Sequence, residues 1–468
     1  MKLNHAVRLR GRKACLIIMT ENERLNLYTS IVPNERQLKI QQMPFYAFVH
    51  YGPNTFTGRE WGMGKDSPGV FNPKNQDVRQ WCAAIKSAGM KGVVLTCKHH
   101  DGFCLWQTKT TEYSIKNSPY KNGRGDVVRE VSEACREYGL KFGIYLSPWD
   151  RNSPLYGTPE YNDFYIAQLT ELLTNYGEIF MLWLDGACGA SADGIPKQKY
   201  DFERIWSTAL KLQPGIVMSG CAPDIRWVGN ESGKARKSEW NVVPKFQYDL
   251  QNIAANCQQD DDLKKFQKRC RDVMVEDIGS REFLSGYDEF MWYPAEVDVS
   301  IRTGWFYHPL QSLTLKSLHR LMEIYYGSVG SNCLLILNVP PNKHGLLGKK
   351  DVARLAEIGR ELEKENDSVI KSTYVQSDDA GVYEISFERI SVDRLRLAEN
   401  TTFSQRVEEF EIYAGSKCVY KGTVIGFSKI AIFDEPVETD SLKLVIRKSR
   451  LEPHINKIEV CKTGAYRL

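Results

Sequence analysis

The chain has 468 residues, 42% of them hydrophobic and 26% charged, so it is long enough to bury a large core in about two or three domains. The net charge is +4, and the 62 basic residues are scattered among 58 acidic ones. This balance gives no sign of a nucleic-acid partner or of a polybasic membrane patch, and no run approaches the roughly 18 apolar residues that cross a bilayer.

The first residues do not have the pattern of a cleaved export signal. A basic start is followed by a short apolar run, residues 14–19, which is interrupted by Cys15 and followed by charged residues. The 12 cysteines include no CxxC pair, which is typical of a reducing compartment and not of a disulfide framework. We therefore expect residues 1–35 to be an N-terminal extension and the protein to be cytoplasmic.

From residue 36 onward, short apolar segments alternate with amphipathic segments of helical period. The predicted strands are residues 45–52, 91–103, 141–150, 178–186, 216–223, 290–302 and 333–342. The predicted helices are residues 75–90, 126–140, 159–177, 199–215 and 311–330. We expect Asn75 to cap the first of these helices and Gly139 to close the second. About seven or eight such strands favour a distorted TIM-like (β/α) barrel over residues 36–365.

After residue 365 the sequence pattern changes to short segments in which apolar and polar residues alternate, separated by turn residues; an example is "VYEISFERISVDRLRLAE". This pattern predicts a C-terminal antiparallel β-sandwich over residues 366–468. Its aromatic residues suit a packed core at least as well as a platform for sugar. The stretch 258–272, rich in Asp and Lys, is expected to be a solvated helix or loop.

Polar side chains follow several of the predicted barrel strands. They are His50, His99, His100, Asp101, Tyr145, Asp150, Asp185, Asp224 and Glu231. In a barrel the C-terminal ends of the strands meet at one mouth, where these side chains should converge. A carboxylate at the end of a buried strand costs several kcal/mol unless it is paired or used, so Asp185 is either a site residue or a structural cap.

One chemistry that could use this set is metal-assisted hydrolysis. Nitrogen and oxygen ligands would come from His50, His99, His100, Asp101 and Asp185. However, His99 and His100 are adjacent on a segment expected to be extended, where their side chains should point to opposite faces and not share an ion. We therefore expect no catalytic metal.

The second chemistry is glycoside hydrolysis, which needs two carboxyl groups and aromatic walls for the sugar. Six tryptophans are predicted to lie near the loops of the mouth. They are Trp61, Trp106, Trp149, Trp227, Trp240 and Trp305. Their clustering near loops favours a carbohydrate substrate.

Several segments carry a family resemblance when taken together and in order. "FVHYGPNTFTGREWG", "GVVLTCKHHDGFCLW", "GIYLSPWD", "LWLDGACG" and "RWVGNESG" resemble the α-L-fucosidases of glycoside hydrolase family 29. The resemblance implies a retaining enzyme on a TIM-like barrel followed by a β-sandwich, acting on a fucosylated glycan. It also implies catalysis without a cofactor or metal.

The resemblance assigns roles to particular residues. Asp185 corresponds to the nucleophile and Glu231 to the general acid/base, with Glu239 as the second candidate acid; otherwise Glu231 pairs with Arg226 or Lys234. The residues expected to bind fucose are His50, Glu60, Trp61, His99, His100, Tyr145 and Trp305. The "VGNE" segment around Glu231 is similar to members restricted to α-1,3 and α-1,4 linkages of Lewis-type glycans. A broad-specificity fucosidase and a non-catalytic fucose-binding protein are the alternatives.

Overall fold

A computed structural model of the protein describes residues 19–189, 196–245, 276–379 and 381–468. The stretch 258–272, expected to be a solvated helix or loop, lies outside the described residues. Helix α1 (Glu21–Ser30) lies in the expected N-terminal extension, and α2 (Glu35–Gln41) begins at the last residue of that extension. No helix in the described ranges is long and apolar enough to cross a membrane.

Eight strands form one parallel sheet, in the order β5-β4-β3-β2-β1-β10-β9-β6. They are β1 (Phe45–Val49), β2 (Gly92–Lys98), β3 (Lys141–Leu146), β4 (Met181–Leu184), β5 (Val217–Gly220), β6 (Arg226–Trp227), β9 (Ala295–Ser300) and β10 (Leu334–Asn338). Ile225, just before β6, exchanges backbone hydrogen bonds with Met218 and Gly220 of β5 at 3.1 and 3.2 Å. The sheet therefore closes almost completely, which confirms the TIM-like barrel.

The predicted strand 290–302 is two strands in the structure. Pro294 separates β8 (Phe290–Trp292) from the barrel strand β9, and β8 pairs in antiparallel register with β7 (Val242–Pro244) outside the barrel. The break is expected from the lack of a backbone donor at proline. Strand β6 is only two residues long and was not predicted as a strand.

Helices follow most of the barrel strands. They are α3 (Pro53–Thr57), α4 (Val78–Ser87), α5 (Val127–Tyr138), α6 (Glu160–Asn175), α7 (Phe202–Leu212), α8 (Arg281–Leu284), α9 (Leu318–Ser328) and α10 (Lys349–Asp367). Short 3₁₀ turns span Pro68–Val70, Ile115–Asn117, Tyr120–Gly123, Pro309–Thr314 and Thr401–Phe403. Helix α5 ends on Gly139 in the left-handed conformation, as predicted.

Three helix starts differ from the prediction. Helix α7, predicted from residue 199, begins at Phe202 behind an Asp201 cap. The cap of α4 is Asp77, whose carboxylate accepts from the backbone N–H of Gln80 at 3.1 Å, whereas the backbone of Asn75 is bonded to His344. Helix α9 begins at Leu318 behind a Ser317 cap, because the preceding residues form the 3₁₀ turn. The predicted periodicity was right, but it extended past the residues that cap the helices.

The barrel interior contains a buried carboxyl group. Glu296 of β9 accepts hydrogen bonds from Trp183 Nε1 at 2.7 Å, from Ser219 Oγ at 2.8 Å and from the Tyr46 hydroxyl. Burial raises the pKa of Glu296, and these three donors oppose that rise. Side chains of four strands, β1, β4, β5 and β9, thus meet at one point inside the barrel.

The C-terminal domain is antiparallel throughout, as predicted. Its strands are β11 (Ser372–Gln376), β12 (Val382–Glu399), β13 (Val407–Ala414), β14 (Lys417–Gly422), β15 (Lys429–Ser449) and β16 (Ile455–Lys462). Register shifts between Ser386 and Ile390 and between Val392 and Arg394 interrupt the pairing of the two long strands, β12 and β15. Residues on both sides of the shifts bury the same core, so the sheet folds into two layers.

Side chains also join the C-terminal domain to the barrel. The Gln405 amide accepts from the backbone N–H of Asn241 at 2.8 Å and donates to the carbonyl of Glu239 at 3.2 Å. Asn332, beside β10, donates to the same carbonyl at 2.7 Å and accepts from the backbone of Phe427 at 2.9 Å. The segment between β6 and β7 is therefore held partly by the second domain. The exact domain limits, 35/36 and 365/366, stay a prediction.

Candidate active site

Asp185 directly follows β4 and is oriented by two donors. Its Oδ2 accepts from the Tyr145 hydroxyl at 2.9 Å, and its Oδ1 accepts from the backbone N–H of Ala187 at 2.8 Å. His100 Nε2 lies 3.7 Å from Oδ2, and the Asp185 side chain is 27% exposed. The carboxylate is thus fixed in direction and open to the mouth of the barrel.

Three histidine rings lie together beside Asp185. The His99 and His100 ring centroids are 4.1 Å apart, and those of His50 and His99 are 5.5 Å apart. The expectation that adjacent His99 and His100 point to opposite faces was wrong. Strand β2 ends at Lys98, and the chain then turns, with Gly102 N–H bonded to the His99 carbonyl at 3.0 Å.

Burial keeps these rings uncharged at neutral pH. It lowers the pKa of His50 to about 3 and that of His100 to about 4, and it lowers the pKa of His99 well below its usual value. His50 Nδ1 lies 2.9 Å from Asn338 Oδ1, so Nδ1 carries the proton and Nε2 is left as an acceptor. Neutral imidazoles of this kind can bind hydroxyl groups without attracting a counter-ion.

Aromatic side chains border the same mouth on two sides. The ring centroids of Trp305 and His50 are 5.0 Å apart. On the other side, the ring centroid of Trp149 lies 6.0 Å from that of Trp61 and 5.1 Å from that of His100. These rings form apolar surfaces of the sort that pack against a sugar.

Two of the predicted mouth tryptophans lie elsewhere. Trp106 donates to Glu171 of α6 at 2.8 Å and is buried between the barrel and its helices. Trp240 is buried under the guanidinium of Arg450, 3.9 Å from the ring centroid, and contacts the C-terminal domain. Proximity to a predicted loop was the only signal that favoured them, and it did not specify the direction of the side chain.

Glu60 connects the loop after β1 to the loop after β9. Its Oε2 accepts from the backbone N–H of Trp305 at 2.7 Å. Burial raises the pKa of Glu60, and hydrogen bonds from the backbone of Trp305 and Phe306 oppose the rise. A pocket of about 250 Å³ adjoins this carboxyl group. It is lined by Asn54, Gly58, Arg59, Glu60, Phe306, Tyr307, His308 and Gln311.

Glu231 lies in the loop after β6 and faces the same site. Glu231 is an exposed residue, yet protein atoms around its carboxyl group displace enough water to raise the pKa to about 7. The negative charge of Asp185 adds to this rise and that of Glu60 adds less, while a hydrogen bond involving Trp305 opposes it. A carboxyl group with this pKa is largely protonated just below neutral pH.

Glu239, the second candidate acid, is occupied by two arginines. It is 1% exposed and pairs with Arg226 at 2.5 Å and with Arg236 at 3.1 Å. Burial alone would raise the pKa of Glu239, but the two guanidinium groups outweigh it and lower the pKa. Because Arg226 is bonded to Glu239, Glu231 does not take it as a partner.

Of the other carboxyl groups at strand ends, two form ion pairs and one is buried. Asp150 lies 3.0 Å from Lys98, and Asp224 lies 2.7 Å from Arg36. Asp101 is buried, which, with the nearby charge of Asp150, raises its pKa to about 8. Within the part of the chain that the structure describes, no three His, Cys, Asp or Glu side chains are grouped to hold a metal ion.

The sequence reasoning missed Asp298, which lies beside the site. Its carboxyl group accepts from Trp227 Nε1 at 2.7 Å, and the residue is 3% exposed. A signal was present, because in residues 295–300 polar residues alternate with apolar ones, as they do in a strand with a polar inner face. This segment was interpreted only as part of a buried strand.

A barrel with two carboxyl groups and aromatic walls at its mouth has the parts that a glycoside hydrolase needs. Residues 34–367 match the family model described as alpha-L-fucosidase. The chain belongs to this family, glycoside hydrolase family 29, and is an α-L-fucosidase by class, as the sequence motifs predicted.

Individual relatives agree with this family. Alpha-L-fucosidase 1 of Arabidopsis thaliana is 37% identical, over 91% of this chain and 86% of its own length. The structure of an α-L-fucosidase homologue from Bacteroides ovatus superposes with a TM-score of 0.86 at 40% identity, covering 97% of this chain and 78% of that one. A Ruminococcus gnavus family 29 fucosidase, solved in complex with fucose, has a TM-score of 0.75 at 28% identity, covering 93% and 95%.

Proposed function

We propose that the enzyme releases α-L-fucose with net retention, using Asp185 as nucleophile and Glu231 as general acid/base. The observation that carries this proposal is the difference between two carboxyl groups at one site. Two donors orient Asp185 toward the mouth, whereas the pKa of Glu231 is raised to about 7. Such a separation of environments marks an acid and its partner.

The reaction has two steps in this assignment. Asp185 attacks C1 of fucose while Glu231 gives its proton to the glycosidic oxygen, which leaves as an alcohol. Glu231, now ionised, removes a proton from water, which attacks C1 and releases Asp185. The prediction requires carboxyl groups about 5 to 5.5 Å apart. Proton NMR of the first fucose formed tests it: the α anomer is expected, and the β anomer would contradict it.

We propose that fucose binds among the neutral histidines and the aromatic rings. His50, His99, His100 and Tyr145 supply donors and acceptors for hydroxyl groups. Glu60, Trp61 and Trp305 are the remaining proposed contacts, with Trp305 against the apolar face of the sugar. Fucose in the Ruminococcus gnavus relative supports a fucosylated substrate.

We propose a preference for α-1,3 and α-1,4 linkages. The "VGNE" segment around Glu231 supports it, and the pocket beside Glu60 offers space for a neighbouring sugar. Hydrolysis of a Lewis-type trisaccharide, 2′-fucosyllactose and p-nitrophenyl α-L-fucoside should be compared, with EDTA and with Asp185→Ala as control. We expect preferential cleavage of the trisaccharide, unchanged by EDTA and lost in the variant. Equal cleavage of 2′-fucosyllactose would favour the broad-specificity alternative.

A further inference from the structure

The loop that carries Glu231 starts from a fixed point on β9. Trp227 of β6 pairs in parallel register with Glu296, and the backbone N–H of Val228 donates to the Glu296 carbonyl at 2.9 Å. The indole Nε1 of Trp227 donates to Asp298 Oδ1 at 2.7 Å. The start of the loop is therefore held by β9 through both backbone and side chain, four residues before Glu231.

Asp298 lies inside the barrel, below the mouth. Glu296, two residues earlier on the same strand, contacts Trp183 and Ser219 across the barrel interior. Alternate residues of a strand share one face, so Asp298 also points inward. Because the strands run toward the mouth, Asp298 lies one layer closer to it than Glu296.

We infer that Asp298 is a positioning residue for the acid/base group: its carboxyl group anchors the Trp227 indole and thereby fixes the loop that presents Glu231 to the glycosidic oxygen. This inference rests on the proposed role of Glu231. Asp298 itself touches no reacting atom in this assignment.

The charges around the pair support an uncharged anchor. Burial raises the pKa of Asp298 well above its usual range, and the charges of Glu231 and Glu296 add to this rise. The hydrogen bond from Trp227 opposes the rise only partly. Glu231 is faced by Asp185 and Glu60. The raised pKa favours the uncharged form of Asp298, and an amide can take its place.

The test compares two substrates that differ in their need for an acid. A fucosylated trisaccharide needs a proton on its leaving group, whereas p-nitrophenyl α-L-fucoside does not. We expect Asp298→Ala to lower kcat/KM on the trisaccharide about tenfold or more and kcat/KM on the aryl fucoside less than about threefold, because kcat/KM reports the first step and both substrates share the second. Since this variant also leaves a cavity, a second variant at the other end of the contact, Trp227→Phe, which removes the indole donor and leaves a smaller aromatic ring, should give the same selective loss.

The conservative variant separates positioning from charge. Asp298→Asn keeps an oxygen that can accept from Trp227, so we expect near-normal kcat on both substrates and a basic limb of the pH profile that does not move. Glu296→Gln, on the same face of the same strand, is the matched control and should affect both substrates alike.

Three results would overturn the inference: equal loss on both substrates in Asp298→Ala and Trp227→Phe, a selective loss in Asp298→Asn as large as in Asp298→Ala, or a shifted basic limb in Asp298→Asn. The inference and the proposed function fail separately. If Glu231→Ala is selective and Asp298→Ala is not, only the anchor is wrong. If Glu231→Ala shows no selectivity, the acid/base assignment itself is wrong.

Discussion

The ammonium of Lys98 lies 3.0 Å from the carboxylate of Asp150, and both side chains are buried. Lys98 ends β2, and Asp150 lies in the loop after β3, so the ion pair joins the end of one strand to the loop that follows the next. Asp185, which directly follows β4, has hydrogen-bond donors but no such cationic partner within the described residues. Two aspartates in similar sequence positions therefore have different uses.

We expect Asp150→Ala to lower the free energy of unfolding by about 3–5 kcal/mol, because it leaves the buried Lys98 ammonium uncompensated. Urea denaturation with a fluorescence readout measures this. Asp185→Ala is the matched control, since its side chain is partly exposed, and it should cost about 1 kcal/mol or less. Equal stability of the two variants would contradict the structural role of Asp150.

Asp185→Ala is expected to lower kcat/KM on all three fucosides, on the order of 10⁴-fold, because the covalent step loses its nucleophile. Steady-state kinetics with circular dichroism as the folding control measure this loss. Retention of more than about a tenth of wild-type activity on the aryl fucoside would exclude Asp185 as the nucleophile.

Glu231→Ala is expected to reduce turnover of natural glycans by about 10²- to 10⁴-fold and to spare the first step with an aryl fucoside, whose leaving group needs no proton. Sodium azide, a small nucleophile that needs no general base, should accelerate release from the covalent intermediate. Detection of fucosyl azide by mass spectrometry checks this, and its absence would count against the assignment.

The pH dependence of kcat/KM should have a basic limb near 7. As the proposed acid, Glu231 must be protonated, and its pKa is raised to about 7, so activity should be present below that value and fall as pH rises through it. The negative charge of Glu60 contributes to the raised pKa, so Glu60→Gln should shift the limb to lower pH. A limb that stays in place, or moves upward, would contradict the electrostatic coupling.

Glu239→Gln should destabilise the fold without changing the ratio of glycan to aryl-fucoside turnover, because Glu239 is a partner of two buried arginines. Its pKa is lowered in the folded state. Its contribution is therefore fully present above the ordinary carboxyl pKa and lost as pH falls through the lowered value. Thermal unfolding of variant and wild type at pH 7 and pH 4 measures this, with a smaller difference expected at pH 4.

The barrel was predictable because its strands are continuous apolar runs and its helices have a clear amphipathic period. The directions of side chains at the mouth were not. His99 and His100 were placed on opposite faces because the predicted strand, 91–103, ran past Lys98, where β2 ends. Trp240 was placed at the mouth, but it packs against Arg450.

The two carboxyl groups illustrate the same limit. Asp185 stands out locally, since it ends an apolar strand, whereas Glu231 lies in a polar loop and was assigned its role as acid/base only through family resemblance. Tertiary contacts distinguish Glu231 from Glu239. Arg226 and Arg236 pair with Glu239, whereas Asp185 and Glu60 face Glu231. Asp298 depended on the pairing of a two-residue strand with β9, which local patterns do not specify.

The amide of Gln405 binds the main chain at Glu239 and Asn241, a few residues beyond the acid/base loop. A side chain of the sheet domain thus helps to shape the segment that leaves the catalytic mouth. The two domains are consequently not interchangeable parts. A chimera of this barrel with the sheet domain of another enzyme would keep every proposed catalytic group. It would lose the two hydrogen bonds from Gln405 that hold this segment. The two domains should therefore be exchanged together in protein engineering.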